Sequence, residues 1–117
     1  MRNTILLDNI SADAQQVSGG VNFDKRVEWK LNLVSSGLDG TPKIFIEESY
    51  TGSKCTPPTT WTVYKAACST DGSFDVDDNS ISIEKNDFKL NWFRIRFEPN
   101  GNTTGNITAT LHYKTFP

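Results

Sequence analysis

The sequence predicts an all-β fold: an antiparallel β-sandwich or jelly roll of six to eight strands, in one domain spanning residues 1–117. Three observations carry that expectation. Short stretches in which apolar and polar residues alternate recur along the chain, the period of a half-buried strand. Clusters of Gly, Pro, Asn, Asp and Ser separate those stretches, and none of them sustains the apolar stripe of a helix. At 117 residues, 36% of them hydrophobic, the chain is long enough to close one core without staples.

Residues 1–22 read as an extended arm or edge strand. Within them Asn3 to Asp8 alternate, with Ile5 and Leu7 on one side and Leu6 on the other, and Ser11 to Gly20 form a polar loop. From Val27 the alternation is clean, Val27, Trp29, Leu31 and Leu33 against Glu28, Lys30 and Asn32, until turn formers from Ser35 to Pro42 close it. Lys43 to Tyr50 form a strand with apolar residues on both faces, Ile44 and Ile46 on one and Phe45 on the other. Thr51 to Thr60 is a loop, since Pro57 and Pro58 cannot donate to a ladder. Trp61 to Tyr64 resume the alternation with Trp61 and Val63 inward. Ala66 to Asn79 are a polar connection, Ser80 to Lys85 put Ile81 and Ile83 inward, Asn86-Asp87 turn, and Phe88 and Leu90 approach the sheet.

The strongest signal comes last, in Trp92 to Tyr113. Phe93, Ile95 and Phe97 alternate with Trp92, Arg94, Arg96 and Glu98, and Ile107, Ala109, Leu111 and Tyr113 with Thr108, Thr110, His112 and Lys114. Pro99 to Gly105 supply a turn, so the expectation is a β-hairpin in which Phe97 pairs with Ile107, Ile95 with Ala109 and Phe93 with Leu111. Both arginines then look outward. Trp29 and Trp61 are the candidates to fill the space opposite Ala109.

Twelve basic and fourteen acidic residues leave a net charge of −2, with no electrostatic footprint for nucleic acid or an anionic membrane. The apolar run Ile5-Leu6-Leu7 is too short for a signal-peptide core or a membrane span, which points to a protein made and kept in a cytoplasm or leaving it by another route. On that expectation Cys55 and Cys68 are free thiols; a bond between them would add about 3 kcal/mol on the loop-entropy model.

Chemistry finds little purchase. A nucleophilic triad needs a histidine beside a carboxylate and a hydroxyl or thiol, and the one histidine, His112, falls mid-strand on a polar face. Paired carboxylates for glycoside cleavage must converge across a cleft, whereas the acids here fall in turns and at outward positions. Asp75, Asp77 and Asn79 offer alternating oxygen ligands that calcium could use, but without the glycine and closing glutamate of an EF-hand, so a plain polar loop is the favoured reading. The sequence therefore predicts no catalytic residue, metal or cofactor. Asn9, Asn102 and Asn106 head N-x-S/T sequons, which matter only in a glycosylating compartment. The remaining signal is aromatic surface: Phe45, Tyr50, Tyr64, Trp92 and Phe116 exceed what a small sandwich buries alone and are the interface candidates.

Trp61-Thr62, then Phe93-Arg94-Ile95-Arg96-Phe97, then Gly105-Asn106-Ile107-Thr108-Ala109-Thr110-Leu111 form a succession, over the last two-thirds of the chain, that resembles small β-sandwich virion proteins of tailed bacteriophages. The long loop from Thr51 to Thr60 departs from that pattern. The resemblance implies a non-enzymatic, multi-copy capsid, neck or tail component, assembled in the host cytoplasm, whose partners are other virion proteins and its own copies. The alternative expectation is a carbohydrate-binding module stacking sugars on Trp92, Tyr64 or Tyr50, with calcium at Asp75 and Asp77.

Overall fold

The computed structural model describes residues 2–23, 26–50, 56–64, 72–76, 81–87 and 92–116, and among them all regular structure is strand. The strands are β1 (Arg2–Ser11), β2 (Gln16–Val17), β3 (Val21–Asn22), β4 (Arg26–Ser36), β5 (Lys43–Ser49), β6 (Thr62–Val63), β7 (Ser73–Asp75), β8 (Ile81–Asp87), β9 (Trp92–Glu98) and β10 (Asn106–Phe116). They form the expected antiparallel β-sandwich. One sheet has four strands in the order β1-β10-β4-β8. The other has six: β2 and β3 both pair one side of β9, β5 pairs its other side, and β6 and β7 both pair the far side of β5. The count of ten exceeds the expected six to eight because β2, β3, β6 and β7 are pieces of two or three residues, too short to show an alternation.

The core forms where the two inner faces meet. Val27, Trp29, Leu31, Leu33, Ile107, Ala109 and Leu111 from one sheet and Ile44, Ile46, Phe93, Ile95 and Phe97 from the other are buried together. Trp29 packs edge-on against Phe93, ring centroids 5.1 Å apart, and Phe23 fills the space between Phe93 and Tyr113. Each large side chain contributes roughly 1.5–3 kcal/mol on burial. Phe23 and Val76, both buried, join this core from segments whose own sequence shows no strand period.

The expected hairpin is not formed. β9 and β10 present the predicted residues inward, but they belong to opposite sheets and face each other across the core. Each already has both hydrogen-bonding sides occupied, β9 by β5 and by β2 and β3, β10 by β1 and β4, so neither has an edge left for the other. The seven residues from Pro99 to Gly105 are accordingly a crossing between sheets that stack about 10 Å apart. Asn100 (φ 49°) and Gly101 (φ 85°) make a primed tight turn closed by the Asn102 N–H donating to the Pro99 carbonyl at 2.9 Å.

Asn102 then folds inward and is almost fully buried. Its Oδ1 accepts from the N–H groups of Asp39 and Gly40, both at 2.9 Å, and its Nδ2 donates to the carbonyls of Ala12 (2.8 Å) and Thr104 (2.7 Å). One side chain thereby ties three loops. Gly105 (φ 93°) has no room for a Cβ, which would lie 2.5 Å from the Ser36 carbonyl oxygen. Asp39 accepts from the Thr103 hydroxyl and, at 2.7 Å, from the Thr103 N–H; chiefly the hydroxyl, then the N–H, hold its carboxyl below the usual range.

Other expectations shift by a residue or two. Residues 1–22 divide rather than forming one arm: β1 is an edge strand of ten residues, and the segment from Gln16 to Asn22, expected as mostly loop, lines β9. Ser18 bridges its two short strands, its N–H donating to the Ile95 carbonyl and its hydroxyl accepting from the Ile95 N–H, both at 2.9 Å. In β1 a register shift between Ile5 and Leu7 puts those two on opposite sides, Ile5 exposed and Leu7 buried. A second shift follows before Ile10, where Asn9 has φ 50°. Ser73–Asp75 form a strand inside the expected polar connection, and Asn86-Asp87, expected to turn, continue β8 opposite Glu28 and Val27. Cys55, Cys68, Asp77, Asn79, Phe88 and Leu90 lie outside the described residues.

Candidate interaction surface

The outer face of the six-stranded sheet is set by the pairing of β5 with β9. Strand alternation turns Lys43, Phe45, Glu47 and Ser49 outward on β5 and Trp92, Arg94, Arg96 and Glu98 outward on β9. The register sets Lys43 opposite Glu98, Phe45 opposite Arg96, Glu47 opposite Arg94 and Ser49 opposite Trp92. Opposite charges and an Arg–aromatic pair thus meet directly.

Glu47 is the pivot. The residue is 7% exposed, and one carboxylate oxygen accepts from Arg94 Nε at 2.7 Å while the other lies 3.6 Å from Arg96 Nε. The second contact is an ion pair too long for a hydrogen bond, and the buried Arg96 Nε has no other acceptor among the described residues. Arg96 Nη1 reaches Glu98 at 3.4 Å, and Glu98 accepts from Gln15 at 2.9 Å. Each guanidinium also lies over a ring, Arg94 at 4.3 Å from the centroid of Trp61 and Arg96 at 4.4 Å from that of Phe45. The result is a continuous, half-buried band running from Gln15 through Glu98, Arg96, Glu47 and Arg94 to Trp61, with Phe45 beneath Arg96. Lys43 continues it towards Asp75, at 3.6 Å.

The predicted interface residues distribute unevenly over the molecule. Phe45 belongs to this band. Tyr50, 55% exposed, follows β5 at one end. Trp92 is buried rather than presented, because the segment after Ser18 passes over it: a Cβ on Gly20 would sit 3.0 Å from the Trp92 ring and 3.3 Å from that of Trp61. Tyr64 turns inward and packs edge-on against Trp29 at 6.2 Å. Trp61, expected in the core, lies on the outer face, since the Tyr64 N–H donates to the Ile46 carbonyl and that pairing makes Tyr64, not Trp61, share the inner side with Ile46. Phe116 ends β10, and its side chain lies outside the described residues. Of the three residues expected to form a sugar platform, Trp92 is buried, Tyr64 is turned inward and partly buried, and Tyr50 is exposed.

The opposite outer face, on the four-stranded sheet, is of another kind. Thr108, Thr110 and His112 of β10 lie between β1 and β4, with exposed Val34 beside Thr108 and exposed Ile5 beside Thr110. His112 Nδ1 is 2.5 Å from the Asn3 amide oxygen, and the Thr108 hydroxyl accepts from the Asn9 N–H at 3.0 Å. Of the sequons, Asn102 is sealed by its own hydrogen bonds, while Asn9 and Asn106 are exposed.

Fold and surface together define a β-sandwich with an arginine–aromatic outer face. No protein-family model, curated protein or solved structure matches the chain.

Proposed function

We propose that the chain is a non-enzymatic structural subunit of a tailed-phage virion, a multi-copy capsid, neck or tail component that binds other virion proteins and its own copies. The observation that carries the reading is the band on the six-stranded sheet. Arginine and large aromatic side chains are what protein interfaces concentrate at their energetic centres. Here Arg94 and Arg96 are held in place by Glu47, Trp61 and Phe45, so docking them costs little further side-chain entropy. The resemblance of the Trp61-Thr62, Phe93–Phe97 and Gly105–Leu111 stretches to phage virion proteins supplies the kind of assembly. Weak contacts repeated by symmetry suffice in such a particle.

Electron microscopy of the native particle tests this. The expected map has density for the sandwich with a neighbouring protein against Trp61, Arg94 and Arg96. A particle with no density for the chain, or a purified chain that binds glycans on an array, would remove the reading.

A further inference from the structure

Asn100 is the one asparagine of the chain that is followed by glycine, and the two are the central residues of the turn that opens the crossing from β9 to β10. Glycine has no Cβ to crowd its amide nitrogen, which leaves that nitrogen accessible to the asparagine side chain before it. Both residues are exposed, and the space that a Cβ on Gly101 would take is open. The Gly101 N–H makes no hydrogen bond among the described residues.

Asp39-Gly40, a similar pair, is held differently. There the Gly40 N–H donates to Asn102 Oδ1 at 2.9 Å, and the Asp39 carboxylate accepts from the Thr103 N–H and hydroxyl. Asn102 itself is shielded, buried with its Nδ2 donating to two carbonyls. What holds Asn100 is slight by comparison. Its Nδ2 donates to the Thr41 carbonyl at 3.1 Å on the surface, and the turn is closed by the 2.9 Å bond from the Asn102 N–H to the Pro99 carbonyl. In the left-handed conformation of Asn100 (φ 49°) the main chain turns Gly101 N away from Asn100 Cγ, so a reaction between them waits for the turn to open.

We propose that Asn100 is a site of spontaneous deamidation, gated by this turn, and that the product releases the tie that Asn102 makes between three loops. Gly101 N attacks Asn100 Cγ. The new C–N bond forms as the Cγ–Nδ2 bond breaks, and Nδ2 leaves as ammonia with the proton that Gly101 N gives up. Water then opens the cyclic imide at either carbonyl. Opening at Cγ gives aspartate; opening at the Asn100 main-chain carbonyl gives isoaspartate, whose main chain runs through Cβ and Cγ and is one carbon longer. That carbon lies inside the ring closed by the bond between Asn102 and Pro99, two residues before the side chain that joins Ala12, Asp39, Gly40 and Thr104. Aspartate leaves the length of the chain unchanged and the tie in place. The inference is independent of what the chain binds.

The test incubates the full chain in warm, mildly alkaline buffer, folded and in urea, and follows each asparagine by peptide mass spectrometry with fragmentation that separates isoaspartate from aspartate. In the folded chain Asn100 should react ahead of every other asparagine. It should react about ten- to hundredfold more slowly than in urea, the factor set by opening two exposed hydrogen bonds. The purified isoaspartate form should unfold at lower urea than the wild type, by a shift approaching that of Asn102→Ala. Asn100→Asp, with the same new charge and an unaltered main chain, should unfold close to the wild type. An Asn100 that stays intact in the folded chain while reacting in urea would overturn the site, as would earlier reaction at another asparagine. Equal rates folded and in urea would overturn the gating. An isoaspartate form as stable as the wild type, or an Asn100→Asp variant as unstable as that form, would overturn the release of Asn102.

Discussion

β9 and β10 carry the same alternation of apolar and polar residues and contribute to the same core, yet they lie in opposite sheets and turn very different faces outward. β9 shows the charged and aromatic band centred on Glu47, whereas β10 shows threonines and a histidine engaged with uncharged partners. Periodicity specifies which residues of a strand face the interior. Which strand lies alongside is decided by the edges left open and by the connection, here a crossing locked by a buried asparagine.

The sharpest way to break the comparison is to release that lock. Asn102→Ala should cost about 4 kcal/mol in urea or thermal unfolding, since it strands two N–H groups and two carbonyls in three loops. In an ordinary surface turn the same change would cost a few tenths. Gly105→Ala should follow at about 3 kcal/mol, from a positive φ and a Cβ driven into backbone.

The next contrast is between the two outer faces. Glu47→Ala removes the shared carboxylate of two half-buried arginines and should destabilise by about 2 kcal/mol, less than breaking a fully buried pair costs because the guanidinium groups retain some water. Thr110→Ala, at the middle of the β10 outer face, should stay within about 0.5 kcal/mol in the same assay. Trp61→Ala, which uncovers one face of Arg94, should cost about 1 kcal/mol. Equal losses at Glu47 and Thr110 would erase the distinction.

Much of this architecture was legible in the residues. The inward sets of β4, β5, β9 and β10 and the outward arginines follow from alternation alone, and the stack of two sheets from the number of such strands. The hairpin expectation erred because both arms are central strands, and centrality depends on β1, β2, β3, β4 and β5, all distant in sequence. Trp92 could not be read from its own strand: it is covered by residues 18–22, which look like a loop and pair through a serine hydroxyl. Trp61 precedes a strand of two residues, too short for alternation to fix its side. The candidate surface was half legible, since Arg94 and Arg96 were placed outward but their meeting with Glu47 required the β5–β9 register.

The smallest expected effect concerns acid. Hydrogen bonds depress the Asp39 carboxyl in the folded state, so its contribution is complete above the ordinary carboxylate range and is lost as pH falls through the lowered folded value. Asp39→Asn should therefore melt below the wild type at neutral pH, with the gap closing only in strong acid. A gap independent of pH would assign the loss to something other than the charge.

The central claim, that the arms of the apparent hairpin face each other across the core instead of pairing, is tested most directly by backbone proton contacts in solution NMR. Ile95 should show interstrand contacts with Ile46, and Ala109 with Leu33 and Leu7, with none between the backbones of Ile95 and Ala109. A ladder of backbone contacts linking Phe97 to Ile107, Ile95 to Ala109 and Phe93 to Leu111 would contradict it.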